Sequence, residues 1–148
     1  KWTIPLLVRM LTHFKVSCSV LHDIDSPCNK NGGKSGAYSA NKKISEEIQS
    51  ARDSGIHMTH RHSIPDFETA HGMALPRKDK PFKAWKLTTT DGAVRSSVRE
   101  ILDQLSKQPN GESKNHLDDG KDYEIKLREW VTKNAPENKL FDFDILNK

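Results

Sequence analysis

No apolar run in this sequence approaches the roughly 18 residues that a membrane-spanning helix needs. A secretory signal is also missing, since Lys1 opens directly into the apolar segment Ile4–Phe14 with no small-residue cleavage site behind it. Cysteine is scarce: Cys18 and Cys28 are the only two, too few for a disulfide framework and wrongly spaced for a zinc site, which suits a reducing, cytoplasmic setting. Hydrophobic residues make up 34% of the 148 and charged residues 30%, so a core must be lean and the surface rich. Residues 1–22 contain neither Asp nor Glu, and no initiator Met opens the chain, which reads as a piece of a longer protein. The formal net charge of +4 favours an anionic partner, nucleic acid being the commonest, although a mildly basic globular protein would carry the same balance.

What remains is enough for one domain, and its periodicities predict mixed α/β structure. Ile4, Leu7, Val8, Leu11 and Phe14 fall at helical spacing, with Thr3 placed to cap and Pro5 in the first turn. Residues 16–22 read as a short buried strand with Val16 and Val20 on one face, ended by Asp23-Ile24-Asp25-Ser26-Pro27. The Gly/Asn/Ser-rich stretch 29–41 reads as a loop, and a helix is expected over 42–54 with Gly55 as its stop. A second strand is expected over 56–60, and a short helix starting near Pro65-Asp66-Phe67-Glu68. Helices are expected over 80–87, 93–105 and 123–133, with a polar linker at 107–121. The apolar tail residues Leu140, Phe141, Phe143, Ile145 and Leu146 could pack back on the domain or dock elsewhere.

The strongest local feature is Asp23 and Asp25 leaving a buried strand one residue apart. In extended chain, residues i and i+2 face the same side, so both carboxylates can converge. Two like charges held close favour a cation between them, and Mg²⁺ or Mn²⁺ suits oxygen ligands. The plainer alternative is a pair of turn-forming aspartates before Pro27. Asp66 and Glu68 could equally be an acidic first helical turn, and Lys80 a solvated surface lysine.

Taken together, His22-Asp23-Ile24-Asp25, Pro65-Asp66-Phe67-Glu68 and Lys80-Pro81 resemble, in kind and order, the Toprim domains of the OLD (overcoming lysogenization defect) family of nucleases. The resemblance covers roughly residues 1–90 and implies a Toprim-like small parallel sheet flanked by helices. The remainder, 91–148, would be a helical C-terminal segment. It implies a metal-dependent DNA endonuclease that hydrolyses phosphodiesters with two Mg²⁺ or Mn²⁺ ions. Asp23, Asp25 and Glu68 would be metal ligands, and Lys80 would act with Glu68 in catalysis by contacting the scissile phosphate. His22, Ser26 and Lys34 would support the ligands or the substrate. Toprim domains begin with a strand carrying a Glu, and residues 1–22 contain none. The resemblance therefore implies that this first strand is missing from the chain, together with an N-terminal ATPase domain that binds ATP. DNA and that ATPase domain would be the partners, no membrane is implied, and a homodimer is an open alternative.

Two other readings compete. A buried strand ending in D-x-D also opens the site of haloacid-dehalogenase-like phosphatases, with Asp23 as nucleophile, Asp25 as acid/base, Lys80 as the lysine and Asp118-Asp119 as the later acidic pair. A non-catalytic DNA-binding remnant is the other. Among the seven histidines, His60 and His62 would share a strand face and could bind a borderline metal. No third ligand stands at zinc-site spacing, however, and the histidines read as surface residues near a nucleic-acid groove. Lys30, Lys34, Lys42 and Lys43 flank the Gly-rich stretch, which lacks the spacing of a Walker A loop. Trp85, between Lys83 and Lys86, reads as a core tryptophan rather than a base-stacking one.

Overall fold

The computed structural model describes residues 1–73, 79–106 and 122–147. The chain opens with helix α1 (Thr3–His13). Trp2, not Thr3, is its N-cap, and no side chain caps it. Val8 and Pro5 are buried, whereas Leu7 (54% exposed) and Phe14 (71% exposed) stand outside the expected apolar stripe. The helix stops without a glycine. Lys15 adopts a left-handed backbone (φ 56°), its N–H donates to the Thr12 carbonyl and the Val16 N–H to that of Leu11. This is the Schellman ending, and it withdraws Val16 from the strand, which begins two residues later.

Strand β1 (Cys18–Asp23) leads through a turn into helix α2 (Gly36–Asp53), and strand β2 (Met58–Ser63) follows. The two strands pair in parallel, with Cys18 opposite Met58 and His22 opposite His62. The result is a mixed α/β fold built on a small two-stranded parallel sheet flanked by helices. Helix α2 begins at Gly36, six residues before the expected start. Ser35 caps it by accepting the Tyr38 N–H, and Tyr38, Asn41, Ile44, Ile48 and Ala51 are its buried face. The Gly/Ser composition of this stretch hides a first turn that carries buried residues. Its end is a second Schellman motif at Gly55 (φ 78°), which takes the Ile56 N–H to the Ala51 carbonyl and so displaces β2 to Met58–Ser63.

One apolar cluster joins Val8 of α1, Val20 of β1, Met58 of β2 and the Ala40, Ile44, Ile48 and Ala51 face of α2. Beyond β2 come the single-turn helix α3 (Phe67–Ala70), helix α4 (Lys80–Thr90) and helix α5 (Gly92–Ser106), none with a buried residue. Helix α6 (Tyr123–Asn134) and two 3-10 turns, Lys139–Phe141 and Phe143–Asn147, complete the described chain. Leu127 and Val131 of α6 pack with Phe143, Tyr38 and Ile24 in a second cluster, so the tail folds back on the loop that follows β1. The expected linker at 107–121 and the pair Asp118-Asp119 lie outside the described residues. Among the described residues, no helix is long and apolar enough to cross a membrane.

Candidate functional site

The segment after β1 is held from three sides. The Ile24 N–H donates to the Ser63 carbonyl (3.0 Å), the Asp25 N–H to the Pro65 carbonyl (2.8 Å), and Asn41 Nδ2 to the Ile24 carbonyl (2.9 Å). Ile24 is fully buried. Asp25 is left-handed (φ 68°), a conformation that Asp tolerates better than most residues. This corrects the extended D-x-D expected from sequence: the backbone turns at Asp25, so strand alternation does not set the relation of the two carboxylates.

Both carboxylates nevertheless line one open cleft of about 510 Å³, shared with Lys1, Leu21, His22, Ser63 and Phe67. Asp23 Oδ1 accepts the Phe67 N–H (2.8 Å), which ties the P-D-F-E segment to the D-x-D segment. Asp66 caps α3 by accepting the Thr69 N–H (2.8 Å). Glu68 pairs with Lys80 Nζ at 2.6 Å across the gap between α3 and α4. Burial pushes the Asp23 carboxyl above its ordinary value. The Phe67 N–H opposes this, while the negative charges of Asp25, Asp66 and Glu68 add to it. The Lys80 hydrogen bond holds Glu68 below the ordinary range, and Glu68 raises Lys80 in return.

Sequence reasoning passed over Lys1. Its ammonium meets Asp25 Oδ2 (2.9 Å), the Ile24 carbonyl (3.1 Å) and the Asp23 carbonyl, and burial pulls its pKa down against those partners. The oxygen donors around Asp25 thus already hold a cation. That chemistry fits a hard divalent ion, which takes the same carboxylate and carbonyl oxygens.

Of the expected supporting residues, His22 lines the cleft, whereas Ser26 and Lys34 fall elsewhere. Ser26 Oγ donates to the Cys28 carbonyl within its own turn (2.9 Å), and Lys34 Nζ donates to the Leu146 carbonyl (3.4 Å), away from the cleft. Lys42 and Lys43 lie on α2, as the expected helix over 42–54 had them, and Lys43 pairs with Glu46 and Glu47. Trp85 is 60% exposed and tilts against Phe82, 62% exposed, with ring centroids 5.9 Å apart. The expected core tryptophan is a surface residue because α4 buries nothing.

The histidines depart furthest from expectation. His22 and His60 are buried (6% and 2% exposed), not surface residues, and the parallel register sets His22 beside His62. His22 Nε2 lies 2.9 Å from His60 Nε2. His22 Nδ1 is 2.9 Å from the backbone carbonyl of Asp23, not from a carboxylate. Among the described residues, the three side chains that bring potential metal-ligating atoms within 4.8 Å of one another are His22, His60 and His62, rather than Asp23, Asp25 and Glu68. Burial lowers His22 to about 4. It lowers His60 to about 2, with His62 and His22 pushing the same way, so both rings are neutral at physiological pH. The missing third ligand thus comes from the neighbouring strand, and nothing in the local sequence signals the register that supplies it. No protein-family model, curated protein or solved structure significantly matches this chain.

Proposed function

We propose that this chain is the Toprim-like portion of a metal-dependent DNA endonuclease of the OLD type. The observation that carries the reading is the Phe67 N–H donated to Asp23 Oδ1, which draws P-D-F-E onto D-x-D while Glu68 engages Lys80. Two of the motifs, D-x-D and P-D-F-E, adjoin where two parallel strands end, the place at which open α/β sheets keep their sites, and Lys80 joins them through Glu68. Mg²⁺ or Mn²⁺, when bound, would supply charge neutralisation and an activated water.

The side chains of the chain itself have separable tasks. Asp23 and Asp25 offer carboxylate oxygens, with the Phe67 N–H fixing the orientation of Asp23. Glu68 is a further ligand whose exchange with Lys80 frees an ammonium for a phosphate oxygen. Phe82 and Trp85, exposed on α4 between Lys80, Lys83 and Lys86, form an aromatic and basic surface suited to single-stranded DNA. The Glu-bearing strand and the ATPase domain of this family are contributed from outside these residues in the same reading.

The test is plasmid nicking by the full-length gene product in Mg²⁺ or Mn²⁺, with chelator, Asp23→Ala and Asp25→Ala as controls. Cutting that needs the metal and both aspartates is the expected result. An intact plasmid alongside hydrolysis of a phosphomonoester overturns the nuclease in favour of a phosphatase. The absence of both reactions overturns it in favour of a DNA-binding role.

A further inference from the structure

A parallel strand pair places alternate side chains on one face, and the register here sets Cys18, Val20 and His22 alongside Met58, His60 and His62. The apolar members of that face pack with α2. The polar members are three imidazoles gathered at its far end, with ring centroids 4.3 to 5.1 Å apart. Asp23 and Ser63 lie on the opposite face by the same alternation, so the imidazole cluster differs from the carboxylate cleft in ligand type and adjoins it through His22, which lines both.

The hydrogen bonds decide which ring atoms are available. The Asp23 carbonyl can only accept, so His22 Nδ1 carries the proton and His22 Nε2 presents a lone pair. That lone pair faces His60 Nε2 at 2.9 Å. Without a cation, His60 must donate from Nε2, and its Nδ1 lone pair is then buried with no hydrogen-bond partner, an arrangement that is costly in a protein interior. With both Nε2 atoms on a cation, both Nε2 lone pairs are engaged, and His60 Nδ1 carries the proton in place of its lone pair. An imidazole that ligates through one nitrogen and donates from the other to a backbone carbonyl is the usual orientation of a metal-bound histidine, and His22 already has it. Two nitrogens bound to a tetrahedral zinc stand about 3.3 Å apart, given bonds of roughly 2.0–2.1 Å, so the rings must separate by only a few tenths of an ångström.

We propose that His22, His60 and His62 bind one borderline divalent cation of the zinc class, clamping β1 to β2 at the point where both acidic segments leave the sheet. Nitrogen ligands select zinc-like ions over Mg²⁺, which prefers oxygen. Asp23 follows His22 directly, and Pro65-Asp66-Phe67-Glu68 begins three residues after His62. The clamp therefore sets the spacing of the two acidic segments whether or not they form a nuclease site, and it stands independently of that reading.

The test uses the whole chain, stripped with chelator and titrated with Co²⁺ as the spectroscopic probe and then with Zn²⁺ in competition. One ion per chain, with the visible absorption of a nitrogen-rich Co²⁺ site that Zn²⁺ abolishes and millimolar Mg²⁺ does not, is the expected result. Zn²⁺ at a hundredfold excess over Kd should raise Tm by roughly 5–10 °C. His60→Gln and the less buried His62→Gln should each weaken binding at least tenfold, while His13→Gln, on α1 and outside the cluster, leaves it unchanged. If neither histidine variant folds, the imidazole NMR resonances decide: those of His22, His60 and His62 should move on addition of Zn²⁺, with those of His13 and His57 unmoved. No uptake by the folded wild type, binding unchanged in both variants, or movement of the wrong histidines overturns the proposal.

Discussion

Leu127→Ala tests whether α6 supports the loop that carries the acidic pair. Leu127 is fully buried in the cluster with Ile24, Tyr38, Val131 and Phe143. Ile24 in turn sits between Asp23 and Asp25 and donates its N–H to the Ser63 carbonyl. Truncating an enclosed leucine to alanine costs about 2–5 kcal/mol, the larger values going with cavities that cannot collapse. Taking about 3 kcal/mol, and roughly 2–4 °C per kcal/mol for a chain of this size, Tm should fall by about 6–12 °C. Thermal unfolding followed by circular dichroism measures the shift. Hydrogen exchange at the Ile24 amide reports whether the damage reaches the site, and that amide should lose protection together with the amides of α6. A fall in Tm of less than about 2 °C, or an unchanged Ile24 amide beside a melted α6, refutes the claim that one core joins the tail to the D-x-D loop.

Three further outcomes follow from the site. Asp23→Asn keeps an oxygen acceptor for the Phe67 N–H and removes a charge that burial disfavours. Because the folded-state pKa of Asp23 lies above its ordinary 3.8, its contribution to stability is complete below that value and lost as pH rises through the folded value. The variant should therefore melt higher than wild type at pH 7 without divalent ions, and an equal or lower Tm contradicts the burial argument. Lys80→Ala, at an exposed position paired with Glu68, should slow plasmid cutting by the full-length protein about a hundredfold while leaving Tm within a degree or so; an unchanged rate removes Lys80 from the catalytic set. Trp85→Ala should weaken binding to single-stranded DNA about tenfold, as expected for one lost base stack, without altering stability; equal binding in a fluorescence anisotropy titration sinks the stacking role.

Much of the local order was legible in the residues. The apolar periodicities placed helices α1, α4, α5 and α6 within a few residues of their bounds, because each signal lies inside one or two turns of chain. The D-x-D segment stood out because two carboxylates leave the end of an apolar strand, whereas P-D-F-E and Lys-Pro drew notice only through their order behind it. The errors arose where distant contacts overruled local composition. Gly36–Asn41 became helix because Tyr38, Ala40 and Asn41 had a core to enter. Leu7 and Phe14 stayed outside because α2 covers only one side of α1.

The sequence by itself determined which groups could do chemistry here: the carboxylates at 23, 25, 66 and 68, the lysine at 80, and histidines at 22, 60 and 62. Tertiary structure alone decided which of them meet. The parallel register of β1 and β2 made three scattered histidines a cluster, the left-handed turn at Asp25 re-aimed a carboxylate, and a backbone N–H at Phe67 joined two acidic segments. Strand register and turn geometry depend on the summed packing of both faces of a sheet, a property of contacts between residues some forty positions apart and not of any local spacing.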